Sequence, residues 1–426
     1  MQSFIINGGR KLEGEVTVQG SKNAALPIIA ATLLTDRSCI LQNVPRIGDV
    51  LVMLQILRQM GSRQRWLDEH TIEIVNDEID PVKLNGQLAS RIRASILLIG
   101  PLLARGDEVS VSFPGGDKIG ARPLDAHLNA FRDAGVSVEY DGRRGRYHFK
   151  ITGKPLREIV LKELSVTATE NMVMFFSLTP QATKIHLAAA EPHVQDLGLF
   201  LKKIGVEISG LGTHSLVIKG KKRAVGRKGV LAPIVHRIIS DYLAVGTFLV
   251  VGALAAKKLI IHDAQCDHLI ATLQKLKEFG VRFECRGREL IVGAARTLKG
   301  ANIQTLPYPG FPTDLQAPFG VLATQAQGES LIFDTLFENR LQYIDELKKM
   351  GARARVLDSH RASITGKTPL SGIEIRSLDI RAGATLVIAA LIASGKSVIQ
   401  GIEQIDRGYE RLDEALQKLG ADIKRI

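Results

Sequence analysis

Five short segments of this chain carry side chains able to bind an anion or move a proton. GSKNAALP presents Lys22 and Asn23, a point charge and an amide just ahead of an apolar stretch that reads as a helix. A cation at a helix start suits phosphate or carboxylate, because unpaired backbone N–H groups and the helix dipole add to its charge. FPGGDKIGARP (113–123) places Asp117 and Arg122 on a glycine-rich loop, which is either a surface turn or a lid carrying an acid. YPGFPTDLQAPF (308–319) presents Asp314 ahead of a second helix, ENR presents Arg340, and IDRGYERL presents Arg407. Each alone is an ordinary charged loop. Together they imply polar residues gathered at the ends of strands and helices to hold a small polyanion.

The elements that must position these residues repeat six times. LRQMGS, FRDAGV, LKKIGV, LKEFGV, LKKMGA and LQKLGA recur at intervals of about 70 residues, with glycines at 61, 135, 205, 280, 351 and 420. Four residues before each glycine stands Leu57, Phe131, Leu201, Leu276, Leu347 or Leu416. The pattern predicts a helix that buries its i and i+3 positions and ends on a left-handed glycine before a strand. Each unit also holds an earlier helix that is apolar nearly all round, such as TFLVVGALAA or ATLVIAALIA. The expected unit is strand–helix–strand–helix–strand–strand, and the wholly apolar helices belong inside closed domains rather than on a solenoid. This gives an α/β protein of two domains with three units each. The first domain is expected at 22–239. The second is discontinuous, 1–21 with 240–426, because the strands FIINGG and GEVTVQG precede the first full unit.

Composition narrows the class. With 426 residues, 45% hydrophobic and 23% charged, the chain is that of a globular protein large enough for more than one core. MQSFIINGGRKLEG lacks the basic start and apolar core of a secretory signal, and the longest uncharged run, Tyr242 to Ala256, is shorter than the roughly 18–20 residues of a membrane span. A cytoplasmic location is expected, with Cys39, Cys266 and Cys285 reduced and mostly packed. The ten histidines show no HxxxH or HExxH spacing, so no metal and no cofactor are expected. A net charge of +12 admits nucleic acid, but aromatics are only 5% and the basic residues are not interleaved with stacking rings. Small anionic substrates account for the motif arginines better.

The sixfold repeat together with SKNAALP, PGGxxIGARP, FPTDxQA, ENR and DRGYER resembles the UDP-N-acetylglucosamine 1-carboxyvinyltransferases, end to end and in register. The sister 5-enolpyruvylshikimate-3-phosphate synthases carry a serine- and arginine-bearing first motif and a GNAGT segment, neither of which is present. The resemblance implies the inside-out α/β barrel of enolpyruvyl transferases, and phosphoenolpyruvate and UDP-N-acetylglucosamine as substrates. It places Lys22, Asn23, Arg122, Arg340 and Arg407 at phosphoenolpyruvate. At the nucleotide sugar it places Asn23, Arg93, the run Arg122, Pro123, Leu124, Asp125 and Ala126, then Glu163, Leu164, Ser165 and Val166, with Asp314 and Leu336. Lys22, Asp117, Asp314 and Arg407 are the implied catalytic set. Asp117 would be the acid at C3 of phosphoenolpyruvate, and Asp314 the base at the sugar 3′-hydroxyl or its orienter.

Three positions depart from the family pattern. Asp117 replaces the usual loop cysteine, Glu163 stands where lysine is common, and Tyr242 and Ala244 replace an arginine and a glutamate beside a retained Asp241. A transferase with another acceptor, or a silent nucleotide-sugar-binding homologue, are the alternatives these departures leave open; the sequence also leaves the oligomeric state open. Asp117 generates a direct test. Fosfomycin inactivates the family by alkylating the loop cysteine, and a carboxylate is a far weaker nucleophile than a thiolate. The enzyme is expected to be active and insensitive to fosfomycin, Asp117→Cys to become sensitive, and Asp117→Asn to lose most turnover. Time-dependent inactivation of the parent would contradict the assignment.

Overall fold

The computed structural model describes residues 2–84, 86–116, 120, 123–154, 156–221, 232–377 and 379–426. Asp117 and Arg122 lie outside the described residues. The chain divides into two compact units, one of residues 20–116 with 122–239 and one of 1–19, 117–121 and 240–426.

The six glycine turns form as their sequence implies. Gly61, Gly135, Gly205, Gly280, Gly351 and Gly420 all have φ between +78° and +111°, and the apolar residue four positions earlier is buried in every case. At Gly61, Gly205, Gly280, Gly351 and Gly420 the next amide donates back to the carbonyl of that same leucine at 2.9–3.1 Å. This satisfies an otherwise orphan helix carbonyl and turns the chain into a strand.

In the unit formed around 20–239, the buried helices are Lys22–Ala31, Ile99–Gly106 (after the 3-10 turn Arg93–Leu98) and Val166–Phe176. Three sheets surround them, and strands such as Ile234–Arg237 alternate buried and exposed residues, so one face packs on the helices. The strand Ile234–Arg237, last in this unit, runs parallel to Cys39–Gln42, first in it, and so returns the third repeat to the sheet of the first.

The other unit follows the same plan. Its central helices are Tyr242–Ala255, Thr313–Thr324 and Ile380–Ile392, and every residue of Tyr242–Ala255 except Leu254 is buried. A helix apolar on all sides is stable only where other elements cover it completely, which three four-stranded sheets do here. The N-terminal strands are part of this plan. Ser3–Asn7 lies antiparallel between Lys396–Gln400 and Asp422–Arg425, and Leu12–Thr17 pairs parallel with Ala256–His262.

The expectation of three reduced cysteines is overturned. Cys266 and Cys285 form a disulfide with Cα atoms 6.6 Å apart. They lie on a turn and an edge strand with the helix Ile270–Glu278 between them in the chain, so their spacing gave no sign of it. Cys39 is the free cysteine; it is buried, and burial pushes its thiol up to about 12. Among the described residues no helix is long and apolar enough to cross a membrane.

The caps can be ranked. A Cβ at Gly420 meets nothing within 4 Å, whereas at Gly61 it would lie 2.2 Å from the Glu78 carbonyl oxygen. Gly420→Ala is expected to cost about 1–2 kcal/mol from left-handed strain alone. Gly61→Ala should cost clearly more, read from denaturant midpoints. Equal losses would contradict this account of the turns.

Candidate functional site

In the unit around 20–239, the helix Lys22–Ala31 starts where Ser21 accepts the Ala24 N–H at 3.3 Å, which puts Lys22 and Asn23 in its first turn. The Lys22 Nζ stands 2.7 Å from Asp49 Oδ2, with 12% and 7% of the two side chains exposed. Asp49 is itself in the first turn of the helix Gly48–Gln59, where the dipole favours its charge. The ion pair with Asp49 therefore fixes the position of Lys22. Arg93 opens the turn Arg93–Leu98 and donates to the Pro123 carbonyl at 3.3 Å, tying it to the segment Pro123, Leu124, Asp125 and Ala126. Asp125 is exposed in the first turn of Asp125–Asp133, while Leu124 and Ala126 are buried.

A buried histidine fastens this region to the next. His127 Nε2 lies 3.0 Å from Thr167 Oγ1, and its Nδ1 is 3.2 Å from the Asn171 amide nitrogen. Asn171 also donates to the Ile96 carbonyl and accepts from the Gly100 N–H. Burial, reinforced by Arg93, pushes His127 down to about 3, so it is neutral, accepting at Nδ1 and donating at Nε2. The network holds the helix start at Val166 beside Asp125–Asp133. There Ser165 caps Val166–Phe176 by accepting the Ala168 N–H at 3.4 Å, and Glu163 is exposed just before it. Ser165 thus has a structural use of its own.

In the other unit three helix N-termini meet. Asp241 caps Tyr242–Ala255, accepting from the Leu243 and Ala244 amides at 2.9 and 3.2 Å. Asp314 sits in the first turn of Thr313–Thr324, and Arg381 in that of Ile380–Ile392, which Asp379 caps. Arg381 Nε donates to Asp314 Oδ2 at 3.1 Å, and Arg340 Nη2 donates to Asp314 Oδ1. Arg340 Nη1 donates to Thr313 Oγ1 at 2.8 Å, and Arg381 lies over the Tyr409 ring. Arg407 ends the turn Ile402–Arg407, which packs on Ile380–Ile392, and it donates to Gln404 Oε1 at 2.9 Å. Leu336 is 39% exposed; its amide donates to Asp334, which also accepts from Thr305, Thr313 and Phe337.

The electrostatics assign roles. Burial alone would push the Asp314 carboxyl up, but Arg340 and Arg381 outweigh it and hold the group well below the usual carboxylate range. Such a carboxylate accepts a hydrogen bond readily and is a poor proton acceptor at neutral pH. Asp241 is different: burial raises it against the opposing pull of Arg381 and two helix amides. Burial works against the charge on Arg381, and the oxygens of Tyr409, Asp314 and Asp241 more than restore it. Its Nη1 is buried and has no hydrogen-bond partner among the described residues.

Asp314 and Arg340 are thus brought into one cluster, Arg407 lies on an element packed against it, and Lys22 is fixed by Asp49. Sequence reasoning missed Arg381 and Asp334. Arg381 could have been found by aligning the first turns of the apolar helices, since DIRAGATLV repeats the placement of Asp314 in PTDLQAPF.

The family profile for EPSP synthase (3-phosphoshikimate 1-carboxyvinyltransferase) matches residues 6–416. The UDP-N-acetylglucosamine 1-carboxyvinyltransferase of Koribacter versatilis is 40% identical over 430 residues, covering 100% of this chain and 97% of that protein. UDP-N-acetylglucosamine 1-carboxyvinyltransferase 1 of Carboxydothermus hydrogenoformans is 42% identical, covering 100% and 99%. The chain belongs to this family. Membership makes it a transferase and agrees with the end-to-end resemblance of its motifs. The fold is shared more widely. The enolpyruvyl transferase NikO from Streptomyces tendae superposes with a TM-score of 0.87 at 24% identity, covering 100% of this chain and 99% of that one. EPSP synthase from Acinetobacter baumannii gives 0.73 at 20%, covering 100% of each.

The Asp314 cluster generates a pH test. A depressed carboxylate contributes stability that is complete above its unfolded value and is lost as pH falls through the folded one. Asp314→Asn leaves Arg340 and Arg381 facing each other and should cost about 3–5 kcal/mol at pH 7. The gap to the parent should narrow only below about pH 4, as the parent begins to lose the same charge. A gap that closes already by pH 6, in urea titrations, would contradict the pairing.

Proposed function

We propose that this transferase moves the carboxyvinyl group of phosphoenolpyruvate to the 3′-hydroxyl of UDP-N-acetylglucosamine with release of phosphate, the first committed step of peptidoglycan synthesis, in the cytoplasm. What carries the reading is identity of 40–42% over the whole chain to proteins of that name. The family resemblance, with the placement of these residues inside each unit, supports a division of labour. Lys22 and Arg407 hold the phosphate of phosphoenolpyruvate, with Arg122, which lies outside the described residues. Arg340 and the Nη1 of Arg381, which has no partner among the described residues, are donors for its carboxylate. Arg93, Asn23, the 123–126 segment and the helix start at 163–166 serve the nucleotide sugar, and backbone N–H groups at a helix start suit its diphosphate.

In the reaction, C3 of phosphoenolpyruvate gains a proton from Asp117 and C2 becomes oxocarbenium-like. The sugar oxygen bonds to C2 and gives up its own proton. The tetrahedral phospho-ketal then loses phosphate, and loss of a proton from C3 restores the double bond. Asp314 orients the hydroxyl rather than deprotonating it, because its two guanidinium partners keep it ionised and weakly basic. Electrostatic stabilisation of the departing phosphate falls to the fixed cations.

Phosphate release should require both substrates and be unaffected by EDTA. Lys22→Ala and Arg407→Ala should each lower kcat/KM for phosphoenolpyruvate by an amount equivalent to about 2–4 kcal/mol, with the fold kept. Release with a different acceptor from a panel of nucleotide sugars would redirect the substrate assignment. Folded variants with normal turnover would overturn the roles of these cations.

A further inference from the structure

Neither cysteine of the disulfide is among the residues assigned to substrates, and its surroundings are those of a reversible link. Cys285 is exposed on Phe283–Arg286, an edge strand whose one neighbour is Glu289–Val292. An exposed residue on an edge strand is the member of the pair that an external thiolate can approach. Cys266 is half-buried at the start of the 3-10 turn Cys266–Leu269. The two segments are also joined without the disulfide. The Ala264 N–H donates to the Arg288 carbonyl at 2.9 Å, and Arg288 Nε donates to Asp263 Oδ1 at 3.0 Å. Opening the S–S bond would thus leave the two sulfurs adjacent and ready to re-form it. The turn has a further contact: His268 packs edge-on against Tyr242, ring centroids 6.4 Å apart, and Tyr242 directly follows the helix cap Asp241.

We propose that Cys266 and Cys285 are a redox modification site, a dithiol–disulfide couple addressed by external thiols at the Cys285 sulfur, whose state sets how firmly the Cys266–Leu269 turn is held against Tyr242. A thiolate attacks Cys285 Sγ, forming a mixed disulfide and releasing the Cys266 thiolate, which takes up a proton. A second thiol then displaces Cys285, so one protein disulfide is reduced and two external thiols are oxidised to their own disulfide. The reverse exchange uses an external disulfide as oxidant. Cys39 does not compete, since it is buried and its thiol is pushed up.

The test uses the full chain equilibrated in buffers of glutathione and glutathione disulfide, with thiols counted by alkylation and mass spectrometry. Reduction should occur in the folded protein and reverse on reoxidation. Hydrogen exchange should quicken at 266–269 and at the start of Tyr242–Ala255, and the thermal midpoint should fall by roughly 5–10 °C. The Cys266→Ser and Cys285→Ser variants should behave as the reduced form whatever the buffer. Thiols that persist in excess glutathione disulfide would overturn the proposal. So would a bond that opens only on unfolding, or exchange rates that do not differ between the two states.

Discussion

The gathering of helix N-termini around Asp241, Asp314 and Arg381 is the constraint on which the rest of this site depends. Each helix start carries roughly half a positive charge from its unpaired amides. Bringing three together, and adding the guanidinium groups of Arg340 and Arg381, would be strongly unfavourable without compensation. Asp241 and Asp379 cap two of the helices, and Asp314 takes a guanidinium on each oxygen. Arg381 still keeps a buried N–H with no hydrogen-bond partner among the described residues. A site in that condition attracts an anion.

The repeat is what makes the gathering possible. Helices such as Tyr242–Ala255 offer no polar face, so they are stable only inside a shell of sheets, and a shell of three units orients three such helices alike. The glycine turns serve this arrangement, since each reverses an outer helix into a strand, and at five of the six the next amide satisfies a helix carbonyl. Charged side chains at the ends of such helices need only occupy first turns. Lys22, Asp314 and Arg381 all do.

That economy explains what could be read from sequence. The caps were legible because a left-handed turn excludes nearly every residue but glycine, and the leucines before them because burial demands an apolar side chain. Asp314 and Arg340 stood out through their motifs, but their pairing did not, since it depends on which helix starts converge. For the same reason neither Arg381 nor Asp334 stood out in the sequence, although Asp334 accepts four hydrogen bonds. As an isolated carboxylate Asp314 could be base or orienter, and its two guanidinium partners favour the second. The Cys266–Cys285 link was hidden by the fold lying between its ends.

The central claim is that this chain adds a proton and an oxygen across the double bond of phosphoenolpyruvate before expelling phosphate. The most direct measurement is the mass and NMR spectrum of the product formed in deuterium oxide from phosphoenolpyruvate and UDP-N-acetylglucosamine. The account predicts a carboxyvinyl ether on the 3′-oxygen whose vinyl methylene carries solvent deuterium, because C3 passes through a methyl group. A product joined elsewhere, or a vinyl group free of deuterium throughout turnover, would contradict it.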